Sequence, residues 1–193
     1  MLHNKYYELL KQFLGDYGKE IYGRKLIGQV KMSQKGIALA LEELEEKNIL
    51  KSRKEGAQKY YYINRKNTEI KDIITIVEIM RKLEFMSKER IIARLFNFDS
   101  RMVGIFGSYA KSEQGKGSDM DIFIIGSKRK HDYDQKGKSF DAEVSIKYFS
   151  EAEWKTLLKE RNNLALGILS GHVLVFGFER FIEMAWDNYY GYD

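Results

Sequence analysis

The sequence predicts an α+β protein in two parts joined by a helix, and three observations carry that expectation. Charge is unevenly spread: of the 33 Lys and Arg residues 14 lie within residues 1–66, against 8 of the 28 Asp and Glu residues. The hydrophobic period then changes along the chain, from helical spacing to two short alternating runs, back to helical, and finally to apolar strands parted by turns. Last, one stretch, VGIFGSYAKSEQGKGSDMDIFII over Val103–Ile125, sets an apolar run, a Gly-Ser turn and an Asp-Met-Asp strand start within a single short segment.

The totals bound the rest. A chain of 193 residues with 44% hydrophobic and 32% charged content has room for one or two buried cores. No run of about 18 apolar residues occurs, so neither a membrane span nor a membrane partner is expected. The start, MLHNKYYELLKQFL, is amphipathic and lacks the apolar core of a signal peptide. Zero Cys excludes disulfides and thiolate metal sites and fits a cytoplasmic setting. Zero Pro leaves turns and helix ends to Gly, Asn, Asp and Ser. A net charge of +5 that comes entirely from the first third points to a module facing nucleic acid joined to a neutral one. The plainer alternative is a basic, solvated surface with no partner.

Tyr6, Leu9, Leu10, Phe13 and Leu14 follow helical spacing, which predicts a first helix over about 4–14. A second short helix is expected over about 23–30, with Leu26, Ile27 and Val30 inward. Ser33 suits an N-cap, and Ile37, Ala40, Leu41 and Leu44 form the buried stripe of a third helix, which Asn48 can end in a left-handed conformation. The runs Ile49–Lys54 and Lys59–Asn64, joined by Glu55-Gly56-Ala57-Gln58, read as a hairpin. The acidic run Glu42, Glu43, Glu45 and Glu46 reads as a solvated face.

Three helices followed by a β-hairpin resemble the winged helix-turn-helix family of DNA-binding regulators, from IYGRKLIGQV through KYYYIN. The resemblance implies double-stranded DNA as partner, with the third helix in the major groove. Gln34 would then read adenine, and Lys35 guanine or a phosphate, while Ala38 and Leu39 offer few donors. Lys51, Arg53, Lys54 and Lys59 on the hairpin would contact phosphates. The alternative is a winged helix used for protein contacts alone.

Residues 1–66 thus form the first domain, 67–87 a linker helix and 88–193 the second domain. The linker helix, capped by Asn67 or Thr68, carries Ile70, Ile73, Ile74, Val77, Met80 and Leu83. That stripe packs either on the second domain or on the same helix of a second subunit, as in a homodimer. A further helix is expected over about 87–95.

The Val103–Ile125 stretch carries chemistry. Alternation places Asp119 and Asp121 on one strand face, where two carboxylates can hold Mg²⁺ (or Mn²⁺) beside a triphosphate. Phe106-Gly107-Ser108, ten intervening residues and Asp119-Met120-Asp121-Ile122 resemble the signature of the DNA polymerase β-like nucleotidyltransferase superfamily, its minimal branch above all. GHVLVFG followed by the helix 178–186 resembles that family's last strand and helix. The resemblance implies a small α/β domain with a mixed sheet and an NTP substrate, ATP first among them. The implied reaction is attack of an acceptor hydroxyl on the α-phosphate, the acceptor being a partner protein or RNA.

By the same resemblance Gly107 lets the backbone approach the triphosphate, Ser108 and Ser118 bond phosphate oxygens, and Lys111 adds a positive charge, with Lys116 a weaker source. Asp119 and Asp121 would hold the metal. A third carboxylate is expected on a strand over 140–149, FDAEVSIKYF. Asp141, Glu143, Ser145 and Lys147 share one of its faces, and Ala142, Val144, Ile146 and Tyr148 the other. Counted back from Ser150, the family's third acid falls on Ser145, with Glu143 one strand repeat earlier, so Glu143 completes a catalytic set with Asp119 and Asp121 only by a shifted register or a long reach. If neither holds, the domain binds nucleotide without transferring it, as a ligand-sensing or dimerisation module.

His3, His131 and His172 are too scattered for a metal cluster. Trp154, Trp186 and the Tyr189-Tyr190-Gly191-Tyr192 tail read as packing. The segment 126–139 reads as a basic loop near the metal face, either touching an acceptor or merely solvated.

Overall fold

The computed structural model describes residues 5–113 (backbone alone at Ile91), 115, 118–129, 132–139 and 143–191. His3, Lys116, His131, Asp141, Ala142 and Tyr192 lie outside the described residues. The chain divides into two compact units, one running up to Val77 and the other covering Glu78–Gly191.

The first unit opens with α1 (Lys5–Leu10), which tightens into a 3₁₀ turn over Lys11–Phe13. The expected second helix is only a 3₁₀ turn, Gly23–Leu26, preceded by a two-residue strand β1 (Ile21–Tyr22) that no periodicity announces. Its start has no side-chain cap, and Gly28 takes φ +80° just beyond it, so a short segment without a nucleus does not extend. Helix α2 (Gln34–Glu46) matches expectation. Ser33 Oγ accepts the Gly36 N–H at 3.1 Å, and Asn48 closes the other end at φ +59°. The Asn64 and Asn67 side chains donate to the Asn48 carbonyl at 2.9 and 3.0 Å, tying that end to the start of the next helix.

Strands β2 (Leu50–Glu55) and β3 (Gln58–Ile63) form the hairpin, and the antiparallel order is β1-β3-β2. Ile21, Leu50, Tyr61 and Ile63 bury one face. The acidic run on α2 is not simply solvated. Glu43 takes hydrogen bonds from Lys5 Nζ and the Tyr6 hydroxyl. Glu45 takes two more, from Ser52 and Lys59, both at 2.6 Å. These carboxylates fasten α2 to α1 and to the hairpin.

Helix α3 (Ile70–Lys88) gives its first two turns to this unit and the rest to the second. Ile70, Ile74 and Val77 are buried, but Leu83, assigned to the same stripe, is 55% exposed. At about 100° per residue Leu83 has turned roughly 140° away from Ile70, so the single stripe breaks up.

In the second unit β4 (Met102–Phe106), β5 (Met120–Ile125), β6 (Val144–Phe149) and β7 (Val173–Phe176) form a sheet in the order β6-β5-β4-β7. β4 is antiparallel to β5 and β7, while β5 and β6 run parallel, which makes the sheet mixed. Both faces are covered. Phe123, Phe149 and Leu174 pack with Trp154, Leu158, Ile168 and Phe181 from α7 (Glu151–Lys159), α8 (Asn163–Ser170) and α9 (Phe178–Ala185). Val103, Ile105, Ile122, Ile124 and Val173 pack with Phe85 of α3, with Ile92 and Leu95 of α4 (Arg90–Leu95), and with Ala110 of α5 (Gly107–Lys111). Trp154 and Trp186 are core residues, as expected. Gly104 is required at the centre of β4, because a Cβ there would stand 2.5 Å from the Phe123 ring.

His172 is buried. Its Nδ1 faces the Ile168 and Leu169 carbonyls at 3.0 and 2.9 Å, so that nitrogen carries a proton, while Nε2 lies 3.3 Å from the buried Glu78 carboxylate.

The segment expected as a basic loop contains a helix, α6 (Tyr133–Lys138), and belongs to the crossover that a parallel β5–β6 pair demands. It leaves from the end of β5 remote from Asp121. There Arg101 lies between Asp99 (2.7 Å) and Asp132 (2.8 Å), all three side chains 5% exposed or less. Tyr133 donates to Asp99 and Tyr148 to Asp132, so each buried charge has several partners.

Burial of Asp99 favours its neutral form, but hydrogen bonds from Arg101 and Tyr133 outweigh it and hold the carboxyl down to about 2. The same opposition, with Arg101 and Tyr148 as donors, lowers Asp132. Depressed carboxyls stabilise the fold above the unfolded value of about 4 and lose that contribution as pH falls towards the folded one. Urea unfolding between pH 6 and 2 is therefore expected to show a loss on the order of 2 kcal/mol from Asp99 below pH 4. Asp99→Asn starts from a lower stability and flattens that part of the curve. An unchanged acid limb in the variant would count against the network's role.

Candidate functional site

The polar residues singled out in Val103–Ile125 gather at the end of the second unit's sheet where β4 ends and β5 begins. Antiparallel pairing sets Phe106 opposite Asp121, so the Gly-Ser turn after β4 comes against the first acid inside β5. Gly107 takes φ +72°, and a Cβ built on it would stand 2.6 Å from Asp121 Oδ2. Only glycine both adopts that backbone without strain and leaves the carboxylate its place. Asp121 is half-buried, whereas Asp119, immediately before the strand, is exposed.

The neighbouring groups take up definite positions. Ser108 is half-buried in α5, and its carbonyl accepts the Glu113 N–H at 2.9 Å, closing the helix with Ser112 at φ +58°. Lys111, exposed at the end of α5, lays its aliphatic stem on Gly171, where a Cβ would meet Lys111 Cε at 2.9 Å. The Ser118 Oγ accepts the Gly115 N–H at 3.0 Å. That bond uses a lone pair and leaves the hydroxyl proton free to donate.

The parallel β5–β6 register sets Ser145 and Glu143 relative to Asp121. Asp121 pairs with Ser145, and the Met120 N–H donates to the Glu143 carbonyl at 2.8 Å. Ser145, half-buried, is therefore beside Asp121, while Glu143 lies one strand repeat earlier, before β6 begins, and is exposed. Val144, Ile146 and Tyr148 face the α4–α6 side, as alternation predicts.

Two carboxylates at one strand end, with space kept open by a glycine, suit a hard divalent cation. Mg²⁺ takes one or two carboxylates and completes its shell with phosphate oxygens and water. Among the described residues no group of three or more His, Cys, Asp and Glu is placed to hold a metal, so an ion here would depend on its ligand for the remaining donors.

In the first unit Gln34 and Lys35 are exposed in the first turn of α2, with Ala38 and Leu39 on the same face. Lys51 and Lys54 are exposed on β2. The two other hairpin cations are engaged within the chain. Arg53 binds Glu20 (2.6 Å) and Glu55 (2.7 Å), and Lys59 binds Glu45 (2.6 Å). Sequence reasoning missed these pairs because Glu20 is 33 residues from Arg53; the one available signal, Glu55 two places on, covers half of it.

Residues 88–165 match the family model for the nucleotidyltransferase domain. Among solved structures AF1382 from Archaeoglobus fulgidus is similar at 22% identity, over 42% of this chain and 91% of that one, with a TM-score of 0.35. No curated protein matches the chain. On the family match alone, the chain carries a nucleotidyltransferase-like domain over residues 88–165, and β7, which pairs with β4, extends its sheet beyond the matched residues. Among the described residues no helix is long and apolar enough to cross a membrane.

Gly107→Ala is expected to lower unfolding free energy by about 1–2 kcal/mol through backbone strain alone, and by more through collision with Asp121. In urea unfolding, the double variant with Asp121→Ala should recover the collision part. Additive losses in that cycle would show that the two residues do not touch.

Proposed function

We propose that the chain binds a nucleoside triphosphate with a divalent cation at Asp119 and Asp121 and transfers the nucleoside monophosphate to a hydroxyl acceptor. The observation that carries this reading is the close approach of Asp121 to Gly107, which puts a carboxylate beside a turn that only bare backbone occupies. Ser108 and Ser118 offer hydroxyls to phosphate oxygens, and Lys111 offers a charge. A bound Mg²⁺ or Mn²⁺ would supply charge neutralisation of the phosphates. The exposed Asp119 and half-buried Asp121 would hold it.

A second reading has its own support. With Ser145 in register beside Asp121 and Glu143 exposed one repeat away, the site has two carboxylates where transfer calls for a third. On this reading the domain binds nucleotide and reports it without turnover. The first unit, with three helical segments and a hairpin in winged-helix order, would meet double-stranded DNA through Gln34, Lys35, Lys51 and Lys54. Arg53 and Lys59, already paired, would add little. A homodimer through α3 is the companion proposal, since Ile76, Ile79 and Leu83 are exposed on it.

ATP with Mg²⁺ is expected to raise the melting temperature of the whole protein, since a ligand that binds only the folded state stabilises it. Asp119→Asn and Asp121→Asn should abolish the rise. No rise at millimolar nucleotide would sink both readings. Labelled ATP added with cell extract separates them: a labelled product lost in Asp121→Asn means transfer, whereas no product from the native chain but one from Ser145→Asp means a site short of one acid. A gel shift across salt tests the DNA contact, and no duplex binding even at low salt removes it.

A further inference from the structure

The β1-β3-β2 sheet buries Ile21, Leu50, Tyr61 and Ile63 on one face, which leaves Tyr22, Lys51, Arg53, Tyr60 and Tyr62 to the other. In register Tyr22 lies beside Tyr60, Tyr60 beside Arg53, and Tyr62 beside Lys51. Three tyrosines and two cations thus share one half-exposed sheet face. We propose that this face is a stacking platform for single-stranded nucleic acid.

The geometry of Arg53 is the main support. Its Nε and Nη2 are held by Glu20 and its Nη1 by Glu55, at 2.6–2.9 Å, so the edges of the guanidinium are committed. The group lies over the Tyr60 ring with its carbon 4.9 Å from the centroid, and its side chain is 46% exposed. With its edges committed, the guanidinium has only its faces left to offer, and bases stack on such planes as they do on aromatic rings. Tyr22 packs edge-on to Tyr60 at 5.7 Å and extends the surface. The Tyr62 side chain makes no ring contact or hydrogen bond among the described residues. Lys51, exposed and unengaged among the described residues, lies beside the Tyr62 ring where a backbone phosphate would pass.

Charge selects the occupant. Lys51 and Arg53 against Glu20 and Glu55 leave the face neutral, too weak to hold a duplex by its phosphates alone. A duplex also keeps its base faces stacked inward, whereas a single strand presents them. The platform does not depend on nucleotide transfer at Asp119 and Asp121, and its test contains neither nucleotide nor metal.

Fluorescence polarisation of the full chain with labelled ten-nucleotide oligo(U) and oligo(dT) reads the binding, with a hairpin duplex as competitor. Both single strands should bind at low salt, and a preference between them tells RNA from DNA. Tyr60→Ala or Tyr62→Ala should weaken binding roughly five- to hundredfold, and Tyr62→Phe should leave it nearly unchanged. Since alanine at these positions can also loosen the sheet, photo-crosslinking of 5-bromouridine oligonucleotides to the unaltered protein gives a second reading. Crosslinks on peptides holding Tyr22, Tyr60 or Tyr62 support the platform. Crosslinks confined to α2, displacement by duplex as easily as by single strand, or no binding at low salt would overturn it.

Discussion

The carboxylate of Asp121 occupies space that any side chain at position 107 would need, its Oδ2 lying 2.6 Å from where a Cβ would stand. Much of the second unit follows from keeping that space clear. The β4–β5 register must set Phe106 against Asp121. The turn after β4 must take a left-handed conformation, and β5 must keep Met120, Ile122 and Ile124 inward so that Asp121 points to the opposite face. On that face the next residue along, Phe123, is pinned by Trp154 and Phe181 and needs Gly104 bare beneath it. Two glycines of β4 and its turn therefore admit, in succession, the anchor of the core and the acid of the site.

Charge is handled in opposite ways at the two ends of this sheet. At the remote end Arg101 is enclosed by Asp99 and Asp132, and two tyrosine hydroxyls complete the set. A buried arginine with two carboxylates is tolerable only because so many hydrogen bonds are made. It fixes the departure of the crossover that brings back β6. At the near end Asp119 is exposed and Asp121 half-buried, with no arginine brought against them among the described residues. The near carboxylates stand open to solvent, while those at the remote end have their cation supplied by the chain.

How far the sequence disclosed this depended on the range of the interaction. Alternation along β5 and β6 is local, and it assigned Asp121 and Val144, Ile146 and Tyr148 to their faces correctly. Caps are local too: Ser33, Ser150 and Asn48 all stand at helix ends as their side-chain chemistry suggests. Helix α6 was missed because Tyr133–Lys138 is nearly all polar and shows no stripe; packing of Tyr133 at the remote end of the sheet holds it. β1 was missed because two residues have no period. The pairing of Arg53 with Glu20 and of Lys59 with Glu45 is set by tertiary geometry, so counting cations on the hairpin overstated the charge available to a phosphate backbone.

That overcount bears on what the first unit is for. A surface that recognises DNA by charge keeps its cations free, since each released counterion adds to affinity. Here two of the four hairpin cations are tied down by carboxylates that the chain supplies. Glu42 and Glu46 are exposed further along the helix whose first turn carries Gln34 and Lys35, so only that first turn could approach a duplex without bringing acids towards phosphates. What the carboxylates do to Arg53 is more constructive: they hold a planar cation over the Tyr60 ring, at the cost of its free charge. The same residue cannot serve both purposes. A hairpin organised this way is better suited to faces of bases than to the phosphates that surround them.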